Sequence, residues 1–225
     1  MTILKAQIFG GSLIGAYLEA NNSYILYPPD LIETYLNKFK KVFEINFYPF
    51  SVNNSRLVGI YSVSNSYGII LPSITREDEL EKLNKYLENE KNSFKIGTLD
   101  CGDNTFGNLI LCNDKGAIIS SLLENHRKNI EDVLNVETVI YEFAGSYLPG
   151  SIGLANNKGC LVHPLATDDE IDYISSVLKV EIDVSTINRG IPYLSSGAVV
   201  NDQSGIFGSF STGPEMMRLT NVLEL

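Results

Sequence analysis

The chain is poor in reactive side chains. It has two histidines, His126 and His163, and three cysteines, Cys101, Cys112 and Cys160. An odd cysteine count without a secretory signal argues against a disulfide framework and for reduced thiols in a cytoplasm. Cys160-Leu-Val-His163 is half of a metal site with no second pair, and on a strand these two positions point to opposite faces. No apolar run approaches about 18 residues, so no membrane span is expected. The start, Met1-Thr-Ile-Leu-Lys-Ala-Gln, has no long apolar leader core. Positive charge is scarce: 17 Lys and Arg stand against 27 Asp and Glu, a formal net charge of −10 at pH 7. That argues against bare nucleic-acid phosphate as the main partner, because such binding needs clustered Lys and Arg. It leaves room for one local basic face. No phosphate loop of the G-x-x-x-x-G-K-[ST] type occurs, and Gly10-Gly11 lacks the helix that would cradle phosphate. There is no low-complexity tract, and 44% apolar content is enough for a core.

What is present is a stretch that recurs. Gly107 to Ser121 sets apolar residues on both sides of Asn113-Asp-Lys-Gly116. This is hairpin grammar: Asn leads the turn, and Gly follows where φ > 0 is expected. The pattern returns as Gly59…Asn65-Ser-Tyr-Gly68, Gly150…Asn156-Asn-Lys-Gly159 and Gly197…Asp202-Gln-Ser-Gly205, and in degraded form as Gly15…Ala20-Asn-Asn-Ser23. Helix starts supply an independent mark, a capping residue with an acid three places on. Asp30, Thr75, Ser121, Thr167 and Thr212 fit, with Glu33, Asp78, Glu124, Glu170 and Glu215 behind them, at steps of 45, 46, 46 and 45. A fixed period in this range marks a repeat architecture.

Each copy reads hairpin, helix, strand. The repeats run approximately 12–50, 53–99, 102–141, 145–184 and 188–225. The helices carry apolar stripes: Ile32, Leu36, Phe39 and Phe43; Leu80, Leu83 and Leu87; Leu123, Ile130 and Leu134; Ile171, Ile174 and Leu178. The fifth carries Met217, Val222 and Leu223 and has no strand after it, while Ile3 to Phe9 is a spare strand at the start. The economical solution is a closed ring, a single domain over residues 1–225 in which the first strand completes the last copy. Closure leaves no repeat face exposed. The expected fold class is α/β, a five-fold pseudosymmetric propeller. Polar openings such as Asn53-Asn54-Ser55 are expected near its axis.

Five such copies resemble the translation initiation factor 6 family of archaea and eukaryotes. The most specific segments are Gly107-Asn108-Leu-Ile-Leu-Cys-Asn113-Asp, Asn156-Asn-Lys-Gly159-Cys-Leu-Val-His163-Pro164, Thr186-Ile-Asn188-Arg189-Gly190 and Thr212-Gly213-Pro214-Glu215, the last in its archaeal form. The resemblance spans essentially the whole chain and implies a pentein-type propeller. It implies a monomeric cytoplasmic factor, without cofactor or catalysis. Such a factor binds the large (50S) ribosomal subunit, keeps the small (30S) subunit from joining it, and acts in large-subunit maturation. The implied contact is a ribosomal protein near the sarcin–ricin loop, with adjacent rRNA within reach. Ribosome-binding candidates carried over are Arg56, Asn65, Asn108, Asn113 and Arg189. Ser66-Tyr67 replaces a more basic turn of some relatives, which weakens any electrostatic role for that turn. Each asparagine also has a plain reading as a turn or bulge former, and Arg56 and Arg189 as solvated rim.

The alternative belongs to another class. The same fold carries guanidine-modifying enzymes with a Cys nucleophile in the last copy and a His base. Here no cysteine follows Cys160. His126 reads as a surface residue on a helix, and His163 as the donor or acceptor of a structural hydrogen bond before Pro164.

Overall fold

The computed structural model describes residues 2–88 and 94–225. A first strand, β1 (Ile3–Ala6), precedes five similar units. The first holds α1 (Ile14–Tyr17), β2 (Glu19–Ala20), β3 (Tyr24–Tyr27), α2 (Glu33–Phe39) and β4 (Asn46–Pro49). The second holds α3 (Val58–Tyr61), β5 (Val63–Ser64), β6 (Gly68–Pro72), α4 (Glu77–Leu87) and β7 (Lys95–Leu99). The third holds α5 (Phe106–Leu109), β8 (Ile110–Cys112), β9 (Ala117–Ile119), a 3₁₀ stretch (Ser121–His126), α6 (Arg127–Leu134) and β10 (Thr138–Ile140). The fourth holds α7 (Pro149–Ile152), β11 (Gly153–Ala155), β12 (Gly159–Val162), α8 (Asp168–Leu178) and β13 (Glu181–Val184). The fifth holds α9 (Leu194–Gly197), β14 (Ala198–Val200), β15 (Gly205–Gly208) and α10 (Gly213–Val222).

Every unit makes one three-stranded sheet. A hairpin pairs its two strands antiparallel, and the strand after the long helix adds parallel to the second, as β7 does on β6 with Ile70 opposite Gly97. A parallel neighbour requires a crossover, and the long helix supplies it. The fifth sheet borrows its third strand from the start of the chain: β1 lies parallel on β15, with Ile3 opposite Gly205. This is the α/β five-fold arrangement expected from the repeats.

Each hairpin is preceded by a one-turn helix that the periodicity does not reveal. Four residues are too few to show a helical apolar pattern. These short helices form the hub: α1 touches α3, α3 touches α5, α5 touches α7, α7 touches α9, and α9 touches α1. Backbones meet there. A Cβ on Gly59 would collide with the carbonyl oxygen of Gly15, and one on Gly107 with that of Gly59. Small residues in the hub are therefore a condition of closure.

The apolar core lies between consecutive sheets. Leu123, Ile130 and Leu134 of the third unit pack with Val63 and Ile70 of the second, and Leu83 and Leu87 of the second with Tyr24 and Leu26 of the first. The fifth unit's Val199 and Ile206 join Ile14, Phe39 and Phe43 of the first. Burying each such side chain stabilises by about 1.5–3 kcal/mol, and every unit shares that gain with its neighbour.

Four local expectations are corrected. Only Thr167 and Thr212 cap as read, each within a full capping box. The other helices start at Ile32, Arg76 and Ser120, one or two residues away from Asp30, Thr75 and Ser121. Ile32 thus leaves the apolar stripe and stands 58% exposed. The turns begin at Asn21 and Asn201, one residue off Ala20 and Asp202. The turn glycines Gly68, Gly116 and Gly159 do not have positive φ. They are glycine because a Cβ would strike the carbonyls of Val133, Val177 and Val222 at the ends of neighbouring helices.

Candidate functional site

The ring has two ends. At one, hairpin turns meet the C-termini of the long helices. At the other lie the long-helix N-termini, the hub helices and the polar openings that precede them.

The turn end is closed by its own asparagines. Asn65 Oδ1 accepts from the N–H groups of Tyr67 and Gly68 at 2.9 and 3.1 Å. Its Nδ2 donates to the carbonyls of Asn113, 3.2 Å, and Leu134, 2.8 Å. One side chain thus closes its turn, caps a long helix and binds the next turn. Asn113 repeats this toward Asn156 and Leu178, and Asn156 toward Asn201 and Leu223. Asn65 and Asn113 are 3% and 5% exposed, and every hydrogen-bonding position of the two amides is occupied. The following residues add a second layer, in which Asn157 bridges the carboxylates of Asp114 and Asp202 at 2.7 and 2.8 Å.

The opening end is built differently. The openings are tied to the long helices. Asn53 and Asn54 have φ of 50° and 61°, and Asn188 and Arg189 of 53° and 67°. Left-handed backbone costs a non-glycine residue about 1–2 kcal/mol. It also aims successive N–H groups at one point, where an anion offsets that cost. Glu79 is that anion for the second unit. Its carboxylate accepts from the N–H of Asn53 at 2.7 Å, of Asn54 at 2.9 Å and of Arg76 at 3.0 Å. Glu215 does the same for Arg189, 3.1 Å, and Gly190, 2.9 Å, while closing its own capping box on Thr212. Burial alone would raise the Glu215 carboxyl. The donors of Thr212, Gly190, Thr186 and Arg189 outweigh it and hold the group at about 2. Its contribution to stability is therefore present above about 4.5 and lost as pH falls toward 2.

These clamped openings carry arginines. Arg56 stands 4.8 Å over the Phe9 ring and 2.6 Å from Asp30 Oδ2. Arg189 stands 5.7 Å over the half-exposed Phe210 ring. Around them Leu13, Tyr147, Ile191 and Tyr193 are exposed. On the hub, Asn108 is half-buried and accepts from Ser151 Oγ at 2.9 Å; its NH₂ has no partner among the described residues. The structure therefore brings Arg56, Asn108 and Arg189 to one end and seals Asn65 and Asn113 at the other.

The profile described as the eIF-6 family matches residues 3–222. The chain belongs to that family. Among curated relatives of this eIF-6 family chain, "Translation initiation factor 6" of Methanococcus vannielii is 37% identical over 224 residues, 99% of each chain. Its counterparts in Pyrobaculum aerophilum and Methanocaldococcus jannaschii are 36% and 35% identical, over 98% and 100% of each chain.

The eIF-6 family chain has features that its spacing alone does not announce. Glu79, Phe9 and Phe210 shape the opening end, and only Glu215 could be found in advance, as the acid of a capping pattern. Burial pushes the Cys160 thiol up to about 12 and raises those of Cys112 and Cys101. His163 Nδ1 accepts from the Leu165 N–H at 3.1 Å, the structural bond expected of it. Among the described residues no three His, Cys, Asp or Glu side chains are grouped to hold a metal ion, and no helix is long and apolar enough to cross a membrane.

Proposed function

We propose that this chain binds the large ribosomal subunit through its opening end and keeps the small subunit from joining. The observation that carries this reading is the asymmetry of the ring, set beside relatives named as initiation factors. The opening end offers two arginines on aromatic rings, an Asn108 NH₂ with no partner among the described residues, and exposed apolar side chains. Such groups anchor protein interfaces. Mechanism is steric: a rigid ring occupies the joining face. The clamps of Glu79 and Glu215 hold Arg56 and Arg189 before contact, so little entropy is lost on docking. A net charge of −10 favours a protein partner, with rRNA at the margin and a shallow dependence on salt. An interface of about 1,200–2,000 Å² in total is expected. The factor acts as a monomer in the cytoplasm, and a role in large-subunit maturation follows from occupying the same face.

The test is sedimentation of the purified chain with separated ribosomal subunits. Migration with the large subunit alone, and fewer joined ribosomes as the chain is added, is the expected result. Migration with neither subunit, or an affinity that collapses over several decades between low and moderate salt, would overturn the proposal.

A further inference from the structure

The clamp of the opening end is complete in three units and incomplete in a fourth. The second, fourth and fifth openings each carry consecutive left-handed residues: Asn53-Asn54, Ala144-Gly145 and Asn188-Arg189-Gly190. Each is met by the glutamate that stands third in the unit's long helix, Glu79, Glu170 or Glu215. Glu79 and Glu215 grip alike, with one carboxylate oxygen on each of two successive N–H groups. Asn53 and Arg189 donate to Oε2, and Asn54 and Gly190 to Oε1. A backbone bond ahead of each long helix gives the alignment. Thr75 donates to Pro72, Ala166 to His163 and Ser211 to Gly208, and the acid follows four places after the donor. The same bond from Leu123 to Ser120 puts Arg127 in the acid's place in the third unit, and the opening of that unit has no left-handed residue. There the acid and the left-handed pair are absent together.

The first unit has the turn without the acid. Phe9 and Gly10, with φ of 50° and 81°, stand between the bridged residues Ile8 and Gly11, as Asn53 and Asn54 do between Val52 and Ser55. The bond from Leu31 to Pro28 puts Tyr35 in the place of the acid. Among the described residues neither the Phe9 nor the Gly10 N–H has a hydrogen-bond partner, and Gly10 is exposed. Asp30 of the same unit gives its carboxylate to Arg56 instead. Beside Tyr35 runs a cleft of about 240 Å³, lined also by Lys5, Gln7 and Lys38. It corresponds to the groove of the fifth unit that holds Thr186, Glu215 and Arg218. No acid lines the first unit's cleft, and among the described residues Lys38 makes no ion pair. Two successive N–H groups with cations beside them make an anion site, and this chain supplies no anion to it.

We propose that the Phe9–Gly10 turn binds a carboxylate from outside the chain, an aspartate or glutamate side chain of the protein that docks on the opening end. The ligand is a carboxylate because the sibling turns are filled by a planar pair of oxygens, one to each N–H. The docking step rests on the binding reading above; the site itself does not.

The experiment adds sodium acetate to the isotope-labelled full chain, against sodium chloride at equal ionic strength, and follows amide signals by NMR. The Phe9 and Gly10 N–H signals should shift saturably with acetate, and those of Asn53, Asn54, Arg189 and Gly190 should stay. Absence of that shift overturns the site. A shift with inorganic phosphate and none with acetate overturns the carboxylate and points to a nucleic-acid partner. Tyr35→Glu supplies the acid from within. In that variant the acetate shift should vanish, and exchange of the Phe9 and Gly10 amides should slow about tenfold; an acetate shift that persists, with exchange unslowed, overturns the equivalence with the sibling turns. Tyr35→Gln loses the same ring without gaining charge, and should keep the acetate shift. Tyr35→Glu should then bind the large subunit about tenfold more weakly than Tyr35→Gln. Equal affinity overturns the docking step and leaves the acetate result standing. A parent chain that shifts with acetate but migrates with neither subunit overturns the binding reading, and the docking step with it, and keeps the site.

Discussion

The two ends of the ring use the same residue type in opposite ways. At the turn end, asparagine side chains face inward and spend all their hydrogen bonds on the ring itself. At the opening end, Asn53 and Asn54 contribute backbone N–H groups in a left-handed conformation, and the carboxylate of Glu79 gathers them. Among the described residues the Asn108 NH₂ has no partner. The first arrangement leaves none of those asparagine hydrogen bonds for a partner. The second holds arginines and apolar side chains at the surface. A polar residue in a turn is therefore a poor guide to contact until its hydrogen bonds have been counted.

The sharpest way to break the comparison is Asn113→Ala. It strands the carbonyls of Asn156 and Leu178 and the N–H groups of Lys115 and Gly116. A loss of about 3–5 kcal/mol is expected in denaturant unfolding, with subunit affinity per folded molecule unchanged. A loss below about 1 kcal/mol would mean that the turn end is not what closes the ring. Glu79→Ala comes next, at about 2–3 kcal/mol, because two left-handed residues lose the anion they are aimed at. Its subunit binding should fall as well, since Arg56 rides on that opening; stability loss without binding loss would separate the clamp from the contact face. Arg56→Glu combined with Asn108→Ser inverts the pattern. Affinity for the large subunit should drop about ten- to a hundredfold, with stability changed by less than about 1 kcal/mol. Normal binding by that double variant would move the contact face elsewhere. Lys115→Ala is the smallest. Its exposed ammonium reaches the carbonyls of Asn157 and Lys179, and removing it should cost less than about 0.5 kcal/mol and no binding.

Much of the fold was legible in the sequence. Turn and cap chemistry repeat at a constant step, and the missing last strand with the spare first one dictates closure. The hub helices stayed hidden because a single turn has no periodicity to read. Turn grammar assigns the turn glycines to positive φ, whereas their reason is a carbonyl more than 60 residues on, Val133 in the case of Gly68. The burial of Asn65 has the same origin: its partner Leu134 is 69 positions away. Local grammar finds the turn but cannot say what lands on it. Arg56, Asn108 and Arg189 were legible as a group only through resemblance; Glu215 was legible as a capping acid, whereas Glu79 emerges from contacts between elements.

One pairing carries a consequence for how the molecule is made. The sheet that completes the circle joins β1, whose last residue is Ala6, to β15, where Gly208 is its partner. Any chain emerging from N- to C-terminus can fold four blades in succession, each on the one before. The fifth must wait for residue 208, and the first strand must stay unpaired until then. Bringing such distant segments together is entropically slow. The half-built molecule is thus an open arc with a bare strand at its leading end, exposed to edge-to-edge pairing with other chains. Closure, once residue 208 has emerged, removes that hazard in one step.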